Sequence, residues 1–319
     1  MIRVLYTILG ENSQQSSITE AEIKEFMTKL QKEASFTFLF VANLCLLVWI
    51  CTPILTIFTP LPAFWLSQEK LNKHTKRLTV SNIYILRQSM VLLKQLIGLI
   101  WGRNNKIRES ANIKLHSPDP DKFKIGSAKK RHISFTPKSK ETKLLQLEAD
   151  YVIVGSGAGG SAAGIELARA GFKVIMIEAG PWLQPSDYPN SLYGTMKNTF
   201  DNWGANATLG KSFSPIVQAR CVGGTPVINS AIVVRTPPDI FDLWRRKYDI
   251  NISHTEIEKI QKKIENELGI EKVAESHLGQ INLLALQADK LLQMDGHITD
   301  RNVKNCQGSG NCLYGCKAN

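Results

Sequence analysis

The stretch from Asp150 to Gly180 constrains this chain more than any other part of it. It runs as a short apolar segment, Tyr151–Val154, a glycine turn, a small-residue segment from Ala158 to Ala170, and a second apolar segment, Lys173–Ile177, ending at Glu178. Short β-branched runs of this kind suit parallel strands buried on both faces. The segment between them is small and apolar on one side, as a helix lying on a sheet needs. The turn reads G-x-G-x-x-G at Gly155, Gly157 and Gly160. In that pattern the first glycine makes the tight turn, the second lets the backbone approach a pyrophosphate, and the third lets helix and strand pack closely. Gly155, Ser156, Gly157, Ala158, Gly159 and Gly160 are therefore the expected phosphate cradle. The helix N-terminus adds its unpaired N–H groups and the positive end of its dipole. Glu178, followed by Ala179, stands where a carboxylate accepts hydrogen bonds from ribose hydroxyls. An acid at that place argues for a free 2′-hydroxyl, hence FAD or NAD rather than NADP.

A second constellation separates those two cofactors. Residues 219–229 contain Arg220, Gly223, Gly224, Thr225 and Asn229. The glycine pair permits close backbone approach, and a hydroxyl and an amide follow it. With these residues in place the chain resembles the glucose–methanol–choline (GMC) family of flavin oxidoreductases. Their second signature sets an arginine, a Gly-Gly pair, small hydroxyl residues and an asparagine beside the flavin. Pro226 departs from the pattern, since the family usually has Ser, Thr or Gly there. The resemblance covers about residues 148–319. It implies a Rossmann-like FAD-binding α/β fold, FAD as cofactor, and oxidation of the CH–OH group of an alcohol with hydride passing to flavin.

In the family the catalytic histidine comes from a C-terminal region that has no counterpart in these residues. The six histidines are His74, His116, His132, His254, His277 and His297. None sits in the family's catalytic context, so no catalytic residue is assigned, and His254 and His277 are expected to be solvated. The expectation is therefore an incomplete flavin fold: a fragment, a split gene or a frameshifted frame. A separately encoded C-terminal half is the partner this implies.

The N-terminal third has a different character. Thr19-Glu-Ala-Glu22 is a capping box opening a helix to about Lys32. Ser35–Ser67 carries no charge. Within it, Phe36–Phe58 exceeds the ~20 apolar residues a spanning helix needs, and Trp49 and Trp65 are available as interfacial anchors. Pro53 is expected to kink it, which a lipid-exposed helix tolerates only where the freed carbonyl finds a partner. The alternative is a buried helical hairpin, or an apolar helix lying along the flavin domain. If the segment spans, Lys70, Lys73, Lys76 and Arg77 on its C-terminal side place the flavin part in the cytoplasm. Val80–Trp101 has apolar residues at helical spacing and is expected as an amphipathic helix against a membrane or a core. Some bacterial GMC proteins have a similar helical N-terminal region, which implies a membrane-associated type.

The net charge of +11 is concentrated in Arg103–Lys143, among Ser, Pro and Asn. That is linker composition, suited to anionic lipid heads or to a solvated connector. No nucleic-acid recognition module accompanies it. The domain reading is thus a helical region over 1–101 with its apolar segment at 36–66, a basic linker over 102–147, and the GMC-like part over 148–319. Cys306, Cys312 and Cys316 match the spacing of a four-cysteine iron–sulfur run with Ser309 in the second place. Three thiolates do not fill such a site, and a compact Gly-rich loop is the favoured reading, with no metal.

The function expected is an FAD-dependent oxidoreductase acting on a small-molecule alcohol, with a lipophilic alcohol or sterol hinted at by the apolar N-terminus. The alternatives are a non-catalytic flavin-binding half and a membrane-anchored interaction protein, each needing a C-terminal partner. An NAD-dependent dehydrogenase is weaker, because residues 219–229 have no place in one.

Overall fold

The computed structural model describes residues 7–8, 18–102, 104, 146–189, 191–210 and 214–316. Most of the expected basic linker lies outside them, as do His116 and His132. The chain forms two compact units. The first gathers the N-terminal residues up to 115 with two excursions, Ala179–Trp182 and Tyr188–Cys221. The second holds His116–Glu178, Leu183–Asp187 and Val222–Asn319.

In the first unit α1 spans Glu20–Glu33. Thr19 opens it with the capping box: its Oγ1 accepts from Glu22 N at 3.2 Å, and Glu22 Oε2 accepts from Thr19 N at 2.6 Å. Ile23, Phe26 and Leu30 fall on one face and are buried. Next come α2 (Phe36–Cys51), capped by Ser35, and α3 (Pro53–Ile57). After them lie α4 (Gln68–Thr79) and α5 (Tyr84–Trp101). Leu96, Ile97, Leu99 and Ile100 of α5 pack in one core with α1, Tyr193 and Trp203. Leu86, Met90 and Leu93 of the same helix pack in a second core with Cys45, Trp49, Ala63, Leu66, Leu71 and Leu78. One amphipathic helix thus serves both cores.

The apolar segment Phe36–Phe58 is broken at Thr52–Pro53, where the sequence led a kink to be expected. Thr52 ends α2, Pro53 opens α3, and Phe58 leaves the helix in the left-handed region at φ 54°. Proline has no N–H to continue the i→i−4 ladder, so the carbonyl of Trp49 loses its helical partner. His74 of α4 takes that place, its Nε2 lying 2.9 Å from the Trp49 oxygen. At about 1.5 Å per residue, the 16 residues of α2 reach about 24 Å, short of the roughly 30 Å hydrocarbon core of a bilayer. Among the described residues no single helix is long and apolar enough to cross a membrane. One pair, Gln68–Thr79 with Tyr84–Ile100, passes by length and composition together but turns through 114°. Leu71, Leu78, Met90 and Leu93 of that pair are buried inside the second core.

The second unit carries the strand–turn–helix–strand element. β1 (Tyr151–Val154) pairs in parallel with β2 (Val174–Ile177), Val152 opposite Ile175 and Val154 opposite Ile177. The crossover is α6, Ala158–Arg169. β1 departs from expectation in its burial: Val152 is 59% and Val154 84% exposed. The reason is that among the described residues the sheet has two strands. α6 covers one face, and the other has no cover among the described residues.

Further along are α8 (Pro238–Tyr248), α9 (His254–Leu268) and α10 (Gln280–Leu292); α7 (Leu192–Asn198) and the two-residue pair β3 (Asn206–Ala207) with β4 (Pro215–Ile216) belong to the first unit. The antiparallel pair β5 (Ile270–Lys272) and β6 (Asp300–Asn302) completes the second. Ion pairs tie α9 to α6: Lys263 lies 3.0 Å from Glu166, and Arg169 3.1 Å from Glu267. Their hydrogen bonds hold the Glu166 carboxyl below the usual range and the Arg169 guanidinium above its own. All four side chains are well exposed, so solvent screening leaves each pair little stabilising weight.

Candidate dinucleotide-binding site

The glycine turn is built from three different demands. Gly155 sits at φ +93°, a left-handed conformation that side chains rarely adopt, and its N–H donates to Ile177 O at 2.7 Å, closing the turn against β2. A Cβ on Gly160 would lie 2.0 Å from Gly155 O and 3.2 Å from Ile153 Cγ2. That position is glycine because turn, strand and helix meet there. Gly164, one turn later, is similar, with Met176 and Ile153 at 3.0 and 3.3 Å from the place of its missing Cβ. Gly157 is unlike them. It caps α6 with an ordinary extended backbone, φ −67° and ψ −173°, and a Cβ there would meet nothing within 4 Å. Among the described residues nothing requires glycine at 157. It stands at the mouth of a helix whose N-terminus no side chain caps. Ala158 and Gly159 complete that first turn and are exposed.

Ser156, between the first two glycines, is 4% exposed and joins three segments. Its N–H and its hydroxyl both donate to Glu178 Oε2, at 2.9 and 2.7 Å. Its Oγ in turn accepts from Gly223 N at 3.0 Å. Ser161 Oγ donates to the Ser156 carbonyl at 2.7 Å. The carboxylate at the end of β2 is therefore oriented by the turn itself. Gly224, at φ +61°, lies so close that a Cβ on it would stand 2.8 Å from Gly157 Cα. The two glycine motifs, more than 60 residues apart in sequence, thus meet backbone to backbone.

The rest of the second motif follows from this contact. Thr225–Val227 forms a single 3₁₀ turn capped by Gly224. Pro226 falls in the opening positions of that turn, where a missing N–H costs nothing, so its departure from the expected pattern is absorbed by the backbone. Asn229 is exposed, and its Oδ1 accepts from Ala231 N at 2.8 Å. Ala179 and Arg220 belong to the first unit. There Arg220 N donates to Thr199 O at 2.8 Å. A Cβ on Gly180 would lie 2.3 Å from the Arg220 carbonyl carbon and from Cys221 N. Gly180 is glycine because the Arg220–Cys221 backbone passes against it, a contact the sequence does not show.

Residues 149–319 match the GMC oxidoreductase family. The chain belongs to that family. The N-terminal part it contains is the FAD-binding part of GMC oxidoreductases. Among the relatives of this chain is an uncharacterized GMC-type oxidoreductase of Sinorhizobium fredii, 31% identical over 173 residues, covering 54% of the chain and 34% of the relative. The long-chain-alcohol oxidase FAO1 of Arabidopsis thaliana is 31% identical over 179 residues, covering 56% and 23%. The oxygen-dependent choline dehydrogenase of Rhizobium johnstonii is 29% identical over 136 residues, covering 40% and 24%. The chain thus spans about a third or less of these relatives' length. No solved structure matches it.

The residues of this chain fit the adenosine diphosphate half of FAD. An open glycine at an uncapped helix N-terminus suits a pyrophosphate, and a fixed carboxylate one strand away suits ribose hydroxyls. Four of the histidines are among the described residues. His74 is buried in the second core of the first unit. His254 is half-buried with its ring edge-on to Phe241 at 5.1 Å, His277 lies against Gly308, and His297 is exposed. His254 is thus less solvated than expected. No three His, Cys, Asp or Glu side chains converge as a metal site among the described residues. Cys306, Cys312 and Cys316 are half-buried and Cys221 is buried, none of them in a disulfide.

Proposed function

We propose that this chain is the cofactor-holding part of an FAD-dependent oxidoreductase that oxidises the CH–OH group of a lipophilic alcohol. The observation that carries the reading is Gly157, a glycine that neither backbone strain nor packing explains, facing open space at an uncapped helix end. FAD, when bound, supplies the hydride acceptor. The chain's own residues bind and orient: Gly155–Gly160 receive the pyrophosphate, and Glu178, fixed by Ser156, receives the ribose. Gly223, Gly224, Thr225 and Asn229 form the second wall, and Arg220 and Ala179 are carried over from the family's two signatures. The names of the long-chain-alcohol oxidase relatives support an alcohol with a long apolar tail.

The test is titration of the purified chain with FAD, followed by flavin absorbance and tryptophan quenching. Wild type is expected to bind and Gly157→Leu to lose binding while keeping its circular dichroism, since a Cβ at 157 meets no heavy atom within 4 Å. Equal binding by both proteins removes the assignment.

A second reading is a flavin-holding half that needs further strands from a separate partner before it turns over alcohol. It is favoured by the uncovered face of the β1–β2 sheet, where Val152, Val154 and Ile177 are exposed. Under it, residues 1–319 bleach no added flavin with long-chain, sterol or sugar alcohols under anaerobic mixing. Bleaching by any of them overturns this second reading.

A further inference from the structure

α2 and the segment after it have two apolar faces, and only one is used. Cys45 and Trp49 point into the second core. The opposite face presents Phe36, Phe40, Leu44 and Leu47, which are 83, 58, 49 and 54% exposed. The series continues past the break with Ile54, Leu55 and Phe58, then Phe64 and Trp65, a T-shaped pair with rings 5.0 Å apart. Between Ser35 and Ser67 no residue is charged. Single exposed hydrophobes are ordinary, but a continuous run of this extent marks an interaction surface.

The charge beside it selects the occupant. α4 follows directly and carries Lys70, Lys73, Lys76 and Arg77 against Glu69, all exposed. The three lysines make no ion pair among the described residues. Arg77 donates to the Thr56 carbonyl of α3, so the cationic helix adjoins the apolar segment. Two copies of the chain meeting on this face would bring their cations together. An apolar, tryptophan-edged face bordered by unpaired cations suits a membrane surface with anionic headgroups.

We infer that Phe36–Trp65 lies flat in the interface of an anionic lipid surface, with α4 on the headgroups, and does not cross it. This docking is independent of the flavin reading and would bring a lipid-dissolved alcohol and the protein to the same interface.

The experiment is co-sedimentation of the full chain with vesicles of phosphatidylcholine alone or mixed with phosphatidylserine. Wild type is expected to partition onto the mixed vesicles and to be released by alkaline carbonate. Leu44→Glu with Phe40→Glu is expected to lower partitioning at least about tenfold. Lys73→Glu with Lys76→Glu is expected to lower it about fivefold per charge on mixed vesicles only. Thermal melts show that each variant is folded, and if the first pair is not, Leu47→Gln repeats the test. The inference is overturned if wild type binds neither vesicle or if folded variants bind like wild type. It is also overturned by carbonate resistance, which marks a span, or by a dimer that Phe40→Glu dissociates.

Discussion

The hydroxyl of Ser156 donates to Glu178 at 2.7 Å while accepting from the Gly223 backbone at 3.0 Å. One buried side chain thereby sets the distance between the glycine turn, the acid that ends β2 and the second glycine motif. Ser156→Ala removes both bonds and leaves the Gly223 N–H without that acceptor. A lost hydrogen bond to a charged group is worth about 1.5–3 kcal/mol, so FAD affinity is expected to fall at least about tenfold with a smaller loss in thermal stability. Isothermal titration and a melt measure the two, and unchanged affinity would show that Glu178 needs no such positioning.

The glycines are expected to separate into two classes. Gly160→Ala drives a Cβ into Gly155 O, 2.0 Å away, and should lower the unfolding midpoint whether or not flavin is present. Gly157→Ala meets nothing and should leave the flavin-free melting temperature unchanged while weakening FAD binding. Differential scanning calorimetry with and without FAD distinguishes them. A large loss of flavin-free stability in Gly157→Ala would contradict the open cradle.

His74 makes the helical unit sensitive to acid. Burial pushes its pKa below the usual histidine value, opposed by its bond to the Trp49 carbonyl. The folded state therefore prefers the neutral ring. Below the unfolded pKa of about 6.5, the unfolded chain takes up a proton that the folded chain resists. Stability is then full above that pH and falls as acid drives the ring toward its charged form. The unfolding midpoint should drop between neutral pH and about pH 5. His74→Gln should flatten that slope, and an identical slope in the variant would assign the effect to other groups.

Thr199 is 1% exposed and its hydroxyl has no hydrogen-bond partner among the described residues. An unmet buried hydroxyl costs about 1–3 kcal/mol, and valine has the same shape. Thr199→Val is therefore expected to raise stability by about 1 kcal/mol in chemical denaturation. A loss of stability would mean that the hydroxyl is satisfied in solution.

Local chemistry was legible in the sequence. Thr19 with Glu22 announced the start of α1, apolar spacing announced α5, and the run from Tyr151 to Glu178 announced a parallel pair with its crossover helix and glycine turn. Each rests on contacts within a few residues or on one repeating period, which a sequence displays directly. Pro53 also announced a break, but not its partner: the Trp49 carbonyl is met by His74, 25 residues away on another helix. The same holds for Ser156 with Gly223, for Gly224 against Gly157, and for Gly180 against Arg220. Which distant backbone comes within 3 Å depends on how whole elements pack, and no local pattern encodes it. The exposure of β1 was likewise decided by tertiary structure. An apolar strand reads the same whether both its faces are covered or one, because burial is a property of what packs against it.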